Sequence, residues 1–275
     1  MSVFLQRFYS GKKIVITGGS SGIGKALAYR LLSYGAVVSI VSENENALQS
    51  ALKEFSSTGS PAHAFHCDLA EGKNIADLVH RIISEAGIPD ILINNAGFAV
   101  YRTFEQSPVE EIDRLMAVNV LASMRLTRYF LPIFIERRSG SIVNMASIAG
   151  TMAITPNAAY CAAKHALVSW SECLSYELAG FNVHVNVICP GRVLTPFFDH
   201  ETFRSRKARR ETEYTVPLRR VVDETLRAVC KNRPFKYIPP TIGLISYLKA
   251  SLPFLFNPAY RVLMHSRISS IYNQR

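Results

Sequence analysis

The chain has 275 residues, 48% of them hydrophobic and 10% aromatic, enough for a sizeable core and too apolar for a disordered chain. Its formal charge is +10, yet residues 1–191 carry 15 basic and 15 acidic residues while residues 192–275 carry 16 and 6, so the whole excess lies in the C-terminal third. That asymmetry points to an anionic partner or surface for the tail, and the absence of a recognition motif argues against nucleic acid.

Five cysteines, with no C-x-x-C spacing, argue against a disulfide framework or a zinc site. His63, His66, His165 and His184 form no metal set, so no metal is expected. The N-terminal MSVFLQRFYSGKK lacks the apolar core of a signal peptide, and no apolar run reaches the ~18 residues of a membrane span. The expectation is a cytoplasmic protein, with peripheral membrane association left open by the tail.

In chain order, Lys13–Thr17 is a β-branched apolar run that reads as a buried strand. It leads directly into Gly18-Gly19-Ser20-Ser21-Gly22-Ile23-Gly24, a helical pattern ended by Gly35, and a second apolar run over 37–41. This is a βαβ unit with parallel strands. Glycines in such a turn permit a tight bend and close backbone approach, and the helix N-terminus offers N–H groups to a pyrophosphate. The spacing is G-x-x-x-G-x-G rather than G-x-G-x-x-G. Helices then read over 46–57, 75–86, 108–137 and 157–179, and strands over 62–67, 91–94, 141–145 and 183–188. The alternation predicts a single-domain α/β Rossmann fold, a doubly wound parallel sheet with helices on both faces, spanning 1–275. Gly18–Gly24, Asp68, Asn94–Gly97, Ser147 and Pro190–Thr195 each follow a strand, so all should lie along one sheet edge. The bland roles open to these residues are capping by Asp68, bracing of the sheet by Asn94 through backbone hydrogen bonds, and satisfaction of a backbone carbonyl by Asn119.

Tyr160 and Lys164 stand four apart on the 157–179 helix and share a face. A free Tyr titrates near ~10, and a neighbouring cation favours the phenolate, which suits Tyr160 to proton transfer. Ser147, on the preceding loop, is placed to hydrogen-bond the same substrate oxygen.

Thr17-Gly18-x-x-x-Gly22-x-Gly24, Asp68-Leu69, Asn94-Asn95-Ala96-Gly97, Asn119, Ser147, Tyr160-x-x-x-Lys164 and Pro190-Gly191-x-x-x-Thr195 occur in one order, and over about residues 12–200 the chain resembles the short-chain dehydrogenase/reductase family. The resemblance implies nicotinamide-dependent interconversion of alcohols and carbonyls. It makes Tyr160 the general acid/base, Lys164 its partner and a ligand of the nicotinamide ribose, Ser147 the substrate-oxygen ligand and Asn119 the holder of a proton-relay water. For the cofactor it implies Gly18, Ser20, Ser21, Gly22, Ile23 and Gly24 at the phosphates and adenosine ribose, with Ser42 and Glu43 at the end of the second strand. It places Asp68 and Leu69 at the adenine, and Asn95, Ala96 and Gly97 along the passage to the nicotinamide. Pro190, Gly191, Val193 and Thr195 would orient the ring. Glu43 would repel a 2′-phosphate and has no basic neighbour in sequence, which leans the choice to NAD(H) without excluding NADP(H).

Residues 192–217 are the expected substrate loop. Phe197, Phe198 and Phe203 would line an apolar pocket, with Val100, Tyr101 and the 149–153 loop, including Ala149, opposite. Arg204, Arg206, Lys207, Arg209 and Arg210 read as a charged helical face. These walls suit a lipophilic ketone, aldehyde or alcohol, with a 3-ketoacyl or 3-ketosphinganine type of lipid reductase as the alternative. A catalytically silent dinucleotide-binding regulator is the alternative of another class, disfavoured by the complete set Asn119, Ser147, Tyr160 and Lys164. The extension 237–275 is apolar and basic, and Pro239, Pro240, Pro253 and Pro258 are expected to cut it into short helices. It would either pack over the pocket or a subunit interface, or lie in the headgroup layer of an anionic membrane through 238–265. By analogy with the family, a homodimer or homotetramer is expected.

Overall fold

The computed structural model of the protein describes residues 2–203 and 215–272. At its centre is a seven-stranded parallel sheet: β1 (Lys13–Thr17), β2 (Val37–Ser42), β3 (Ala62–His66), β4 (Ile91–Asn94), β5 (Gly140–Met145), β6 (Val183–Pro190) and β7 (Phe235–Ile238). Their spatial order is β3-β2-β1-β4-β5-β6-β7. Parallel strands covered on both faces need apolar residues at every position, and alternate side chains feed two cores. Ile14 and Ile16 of β1 join one core with Ile91 and Ile93 of β4, while Val15 and Leu92 join the other. The first core is closed by α2 (Gly22–Ser33), α3 (Glu45–Phe55) and α8 (Leu218–Cys230), and the second by α4 (Ile75–Ala86), α6 (Ala122–Arg137) and the end of α7 (Ala158–Glu177).

Strand order reverses between β1 and β4, and at such a switch point the loops at the carboxyl ends diverge to leave a crevice. The expected helix over 108–137 is α5 (Val109–Met116), a π-helical turn over Ala117–Leu121, and α6 in continuous succession. Asn119 lies inside the π turn, a distortion that re-aims side chains.

Three elements lie outside the sequence reading, α1 (Ser2–Tyr9), α8 and β7. Helix α1 buries Leu5 and Tyr9 in the first core, and the Tyr9 hydroxyl donates to the Leu226 carbonyl at 2.8 Å. Helix α8 and strand β7 complete that side, and β7 pairs with β6 out to Pro190↔Ile238, two residues beyond the expected end of β6. The tail forms only two helices, α9 (Pro240–Ser251) and α10 (Pro253–Tyr272). Pro258 does not break α10, contrary to expectation. It lies in the second turn, where its missing N–H removes a single helical bond.

Candidate active site

The glycine turn is held by sterics. Gly18 and Gly22 have φ of 63° and 53°, the left-handed region that glycine enters without a Cβ penalty. A Cβ on Gly24 would collide with the Gly18 carbonyl oxygen, and one on Gly19 with the Ile40 side chain. Thr17 Oγ1 accepts from the backbone N–H of Asn95 and Ala96 at 3.0 and 2.9 Å, and Asn95 Nδ2 donates to the Thr17 and Gly18 carbonyls at 2.9 and 3.2 Å. Asn95 thus braces the turn as well as lining the crevice. Asn94 braces through its backbone, paired in register with Asn144 of β5, and also through its side chain. Its Nδ2 donates to Asn144 Oδ1 at 2.8 Å, and Asn144 Nδ2 donates to Ser171 Oγ at 2.7 Å.

Ser20 and Ser42 hydroxyls meet at 2.9 Å, which joins the turn to the end of β2. Arg114 of α5 supplies what the sequence reading missed there. Its guanidinium donates to Glu43 Oε2 at 2.5 Å and to Asp68 Oδ2 at 2.9 Å. Burial alone would raise the Asp68 carboxyl, but the hydrogen bonds from Arg114 and the Ala70 N–H and the Arg114 charge hold it below the usual carboxylate range. Asp68 Oδ1 accepts from the Ala70 N–H at 2.9 Å, a local turn and not the expected helix cap, since Glu71 and Asn74 stand at the N-cap positions of the helical segments that follow. The Leu69 side chain is buried in the second core.

A cavity of about 510 Å³ runs from the glycine turn to the aromatic residues of the substrate loop. It gathers Gly18, Ser21, Gly22, Ile23, Asn95, Ala96 and Gly97 at one end. Ser147, Tyr160, Lys164, Pro190, Gly191, Val193 and Thr195 lie in the middle, and Ala149, Phe197, Phe198 and Phe203 at the other end. Ser20, Gly24, Ser42, Glu43, Asp68, Leu69 and Asn119 are not among its lining residues. Val100 is buried in a small cluster with Leu115, Val120 and Ala163, and Tyr101 packs on Phe203, so Ala99 provides that wall instead. Ile154 and Asn157 also line the cavity, and nothing in the sequence pattern singled them out. The Arg192 guanidinium lies 5.4 Å from the Phe198 ring centre. The base of the substrate loop is tied by Val216 N–H to the Arg192 carbonyl at 2.7 Å. Arg204, Arg206, Lys207, Arg209 and Arg210 lie outside the described residues.

Ser147 follows β5, and its Oγ accepts from the Ala149 N–H at 3.1 Å. Tyr160 comes from α7 with its ring 5.8 Å from Phe197. Lys164 is buried; its ammonium donates to the Met145 carbonyl at 2.9 Å and stands 5.7 Å from the Tyr160 ring centre. The i,i+4 spacing does bring the pair together, but the expected lowering of the Tyr160 pKa is corrected. Burial pushes the phenol well above its ordinary value, and a hydrogen bond with Ser147 only partly opposes this. Burial also lowers Lys164 to about 8. Burial raises the neighbouring Cys189 thiol to about 12, so it offers no thiolate counter-charge near neutrality.

Asn119 Nδ2 donates to the Phe98 and Leu115 carbonyls, each at 3.0 Å, while its Oδ1 is buried and unsatisfied. A Cβ on Gly97 would stand 2.5 Å from that oxygen and 3.5 Å from the Lys164 ammonium. Gly97 therefore keeps open a point flanked by an acceptor and a donor, and a buried unpaired acceptor calls for a polar partner. The crowded glycine turn, the opening at α2 and this acceptor–donor pair fit a nicotinamide dinucleotide running from β1 to Lys164.

Comparisons with known proteins agree with this geometry. Residues 12–204 match the short chain dehydrogenase family. The chain is 33% identical over 241 residues to the D-beta-hydroxybutyrate dehydrogenase of Rhizobium meliloti, covering 86% of this chain and 91% of that one. It is 36% identical over 184 residues to the ketoacyl reductase HetN of Nostoc sp., covering 67% of this chain and 64% of that one. The chain spans less than two thirds of the length of this relative and of several others, down to 44%. A crystal structure of a short chain dehydrogenase/reductase from Burkholderia phymatum in complex with NAD superposes with a TM-score of 0.82 at 26% identity, covering 90% of this chain and 95% of that one. The chain belongs to the short chain dehydrogenase family.

Proposed function

We propose that the protein interconverts a lipophilic secondary alcohol and its ketone, or a primary alcohol and its aldehyde. The observation that carries this reading is the convergence of Ser147, Tyr160 and Lys164 midway along a cavity whose far wall is aromatic. Phe197, Phe198 and Phe203 stack edge to face, with ring centres 5.2 and 5.3 Å apart, and give that end an apolar lining suited to hydrocarbon. A carbonyl oxygen between the Ser147 and Tyr160 hydroxyls would accept from both. In reduction the Tyr160 hydroxyl donates its proton to the developing alkoxide, and in oxidation the phenolate takes it back. Its high intrinsic pKa keeps Tyr160 protonated at neutral pH, the form that reduction needs. Lys164 and Asn119 would hold a water beside Gly97 through which the proton is replaced.

The cofactor would lie across the glycine turn, the start of α2, Asn95–Gly97, Lys164 and Thr195; when bound, its nicotinamide gives or takes the hydride. NAD(H) is the proposed partner on the strength of Glu43 at the end of β2. A ketoacyl substrate is the second reading, supported by the relative named as a ketoacyl reductase and by the apolar helices beside the pocket. A family-like homodimer or homotetramer is proposed with it. The test is a turnover assay with ketones of increasing chain length and each cofactor. Tyr160→Phe should remove about 10²–10⁴ of kcat with the melting temperature unchanged. Full activity in that variant would refute the mechanism, and a preference for short polar acids would refute the substrate class.

A further inference from the structure

We infer that α9 and α10 form a docking surface for an anionic lipid membrane. Helix α9 is inside out. It turns Gly243 and Ser246 into the protein and exposes large apolar side chains, Leu244 at 62% and Tyr247 at 69%. A helix facing water normally does the reverse. Helix α10 continues the surface with Phe254 and Leu255, 70% and 63% exposed, and Val262. A contiguous apolar surface of this kind marks an interaction site.

The pair is also fixed to the body by polar contacts, so its outward face is set by the fold. Ser246 Oγ meets Thr151 Oγ1 at 2.9 Å, the Lys249 ammonium donates to the Thr151 carbonyl at 3.2 Å, and the Tyr260 hydroxyl donates to the Ala153 carbonyl at 2.7 Å. No described helix is long and apolar enough to cross a membrane, so the pair lies on a bilayer rather than through it.

Charge selects the occupant. Over 240–272, the span of the two helices, the chain carries Lys249, Arg261 and Arg267 and no Asp or Glu. A second copy meeting this face would bring like charges together, whereas an anionic headgroup layer complements them and receives the apolar side chains below. The loop that the helices grip is also the wall of the cavity, since Ile148, Ala149 and Ile154 flank or adjoin the pinned residues. Docking therefore brings the lipophilic end of the cavity to the bilayer; this consequence, unlike the docking, rests on the proposed substrate class.

The full chain is tested by flotation with phosphatidylcholine vesicles with and without phosphatidylglycerol, alongside Phe254→Ser/Leu255→Ser. Two large side chains withdrawn from lipid should cost the variant about tenfold or more in vesicle affinity. The chain should float with the anionic vesicles and be released by salt, and the variant should keep its melting temperature and its turnover of a water-soluble ketone. Absence of flotation, or equal flotation of the variant, overturns the inference. So does a halved mass of the variant in light scattering with unchanged vesicle binding, which would make the face a subunit interface. Turnover is read separately, so loss of the oxidoreductase reading would not be mistaken for loss of docking.

Discussion

Leu31 on α2 and Leu244 on α9 are the same residue in helices of equal length, 12 residues each, and the fold treats them oppositely. Leu31 is fully buried against the sheet, and Leu244 is 62% exposed. Around the first, small residues serve close packing, as where Gly24 lets α2 approach the Gly18 carbonyl. Around the second, the small residues Gly243 and Ser246 are spent on attachment and the large ones are left outside. Hydrophobicity alone therefore does not locate a core. What separates the two regions is which face the polar anchors occupy.

The comparison breaks most readily at those two leucines. Leu31→Ala should cost about 2–5 kcal/mol of stability by leaving a cavity, whereas Leu244→Ala should stay within about 0.5 kcal/mol. Chemical denaturation of both variants measures this, and a large loss at Leu244 would mean that α9 is packed where the structure leaves it bare. Next in size is Gly97→Ala. Its Cβ would intrude between Asn119 Oδ1 and the Lys164 ammonium, and a displacement of that order at a reacting centre costs about 10²-fold in turnover. An equal fall in stability would show instead that Gly97 serves packing.

A smaller effect concerns Lys164, whose folded pKa of about 8 lies below its ordinary 10.5. Below pH 8 the ammonium is charged in both folded and unfolded chains, so the cost of burying the charge is present in full. Between 8 and 10.5 the folded chain has lost the proton and the unfolded chain has not, and stability recovers as pH rises. Lys164→Met removes this contribution. The melting temperature of the variant relative to the parent should therefore be highest near pH 7 and decline toward pH 10. A difference independent of pH would mean that Lys164 is better solvated than its surroundings imply.

The sheet edge was legible because its signals are local. Strands reveal themselves by apolar runs, and the glycine turn, Asn94–Gly97 and Tyr160-x-x-x-Lys164 each sit within a few residues. The spacing of Tyr160 and Lys164 foretold that they would meet, but not that burial would oppose ionisation of both. Burial depends on α7 packing over the end of β5, which no i,i+4 rule contains. Helix α1 and strand β7 escaped notice because each is short and acquires its partner, α8 or β6, from far along the chain. In the tail the apolar content was plain, but its orientation was set by Thr151 and Ala153, about a hundred residues upstream.

Arg114 is the clearest case of a distant contribution, since Glu43 and Asp68 lie 71 and 46 residues from it. On sequence alone Glu43 stands without a cation, and its repulsion of a 2′-phosphate leans the cofactor to NAD(H). With Arg114 bridging both carboxylates, part of that repulsion is offset. Arg114→Gln should therefore sharpen the preference, lowering kcat/KM for NADPH while leaving that for NADH nearly unchanged. The pair is partly exposed, and ion pairs of this kind are worth about 0.2–1 kcal/mol, so the ratio should move by no more than about fivefold. Equal losses with both cofactors would make Arg114 a brace between β2, β3 and α5 and nothing more. A move toward NADPH would mean that Glu43, once released, swings away from the ribose, and that the guanidinium had been holding the acid in the position that discriminates.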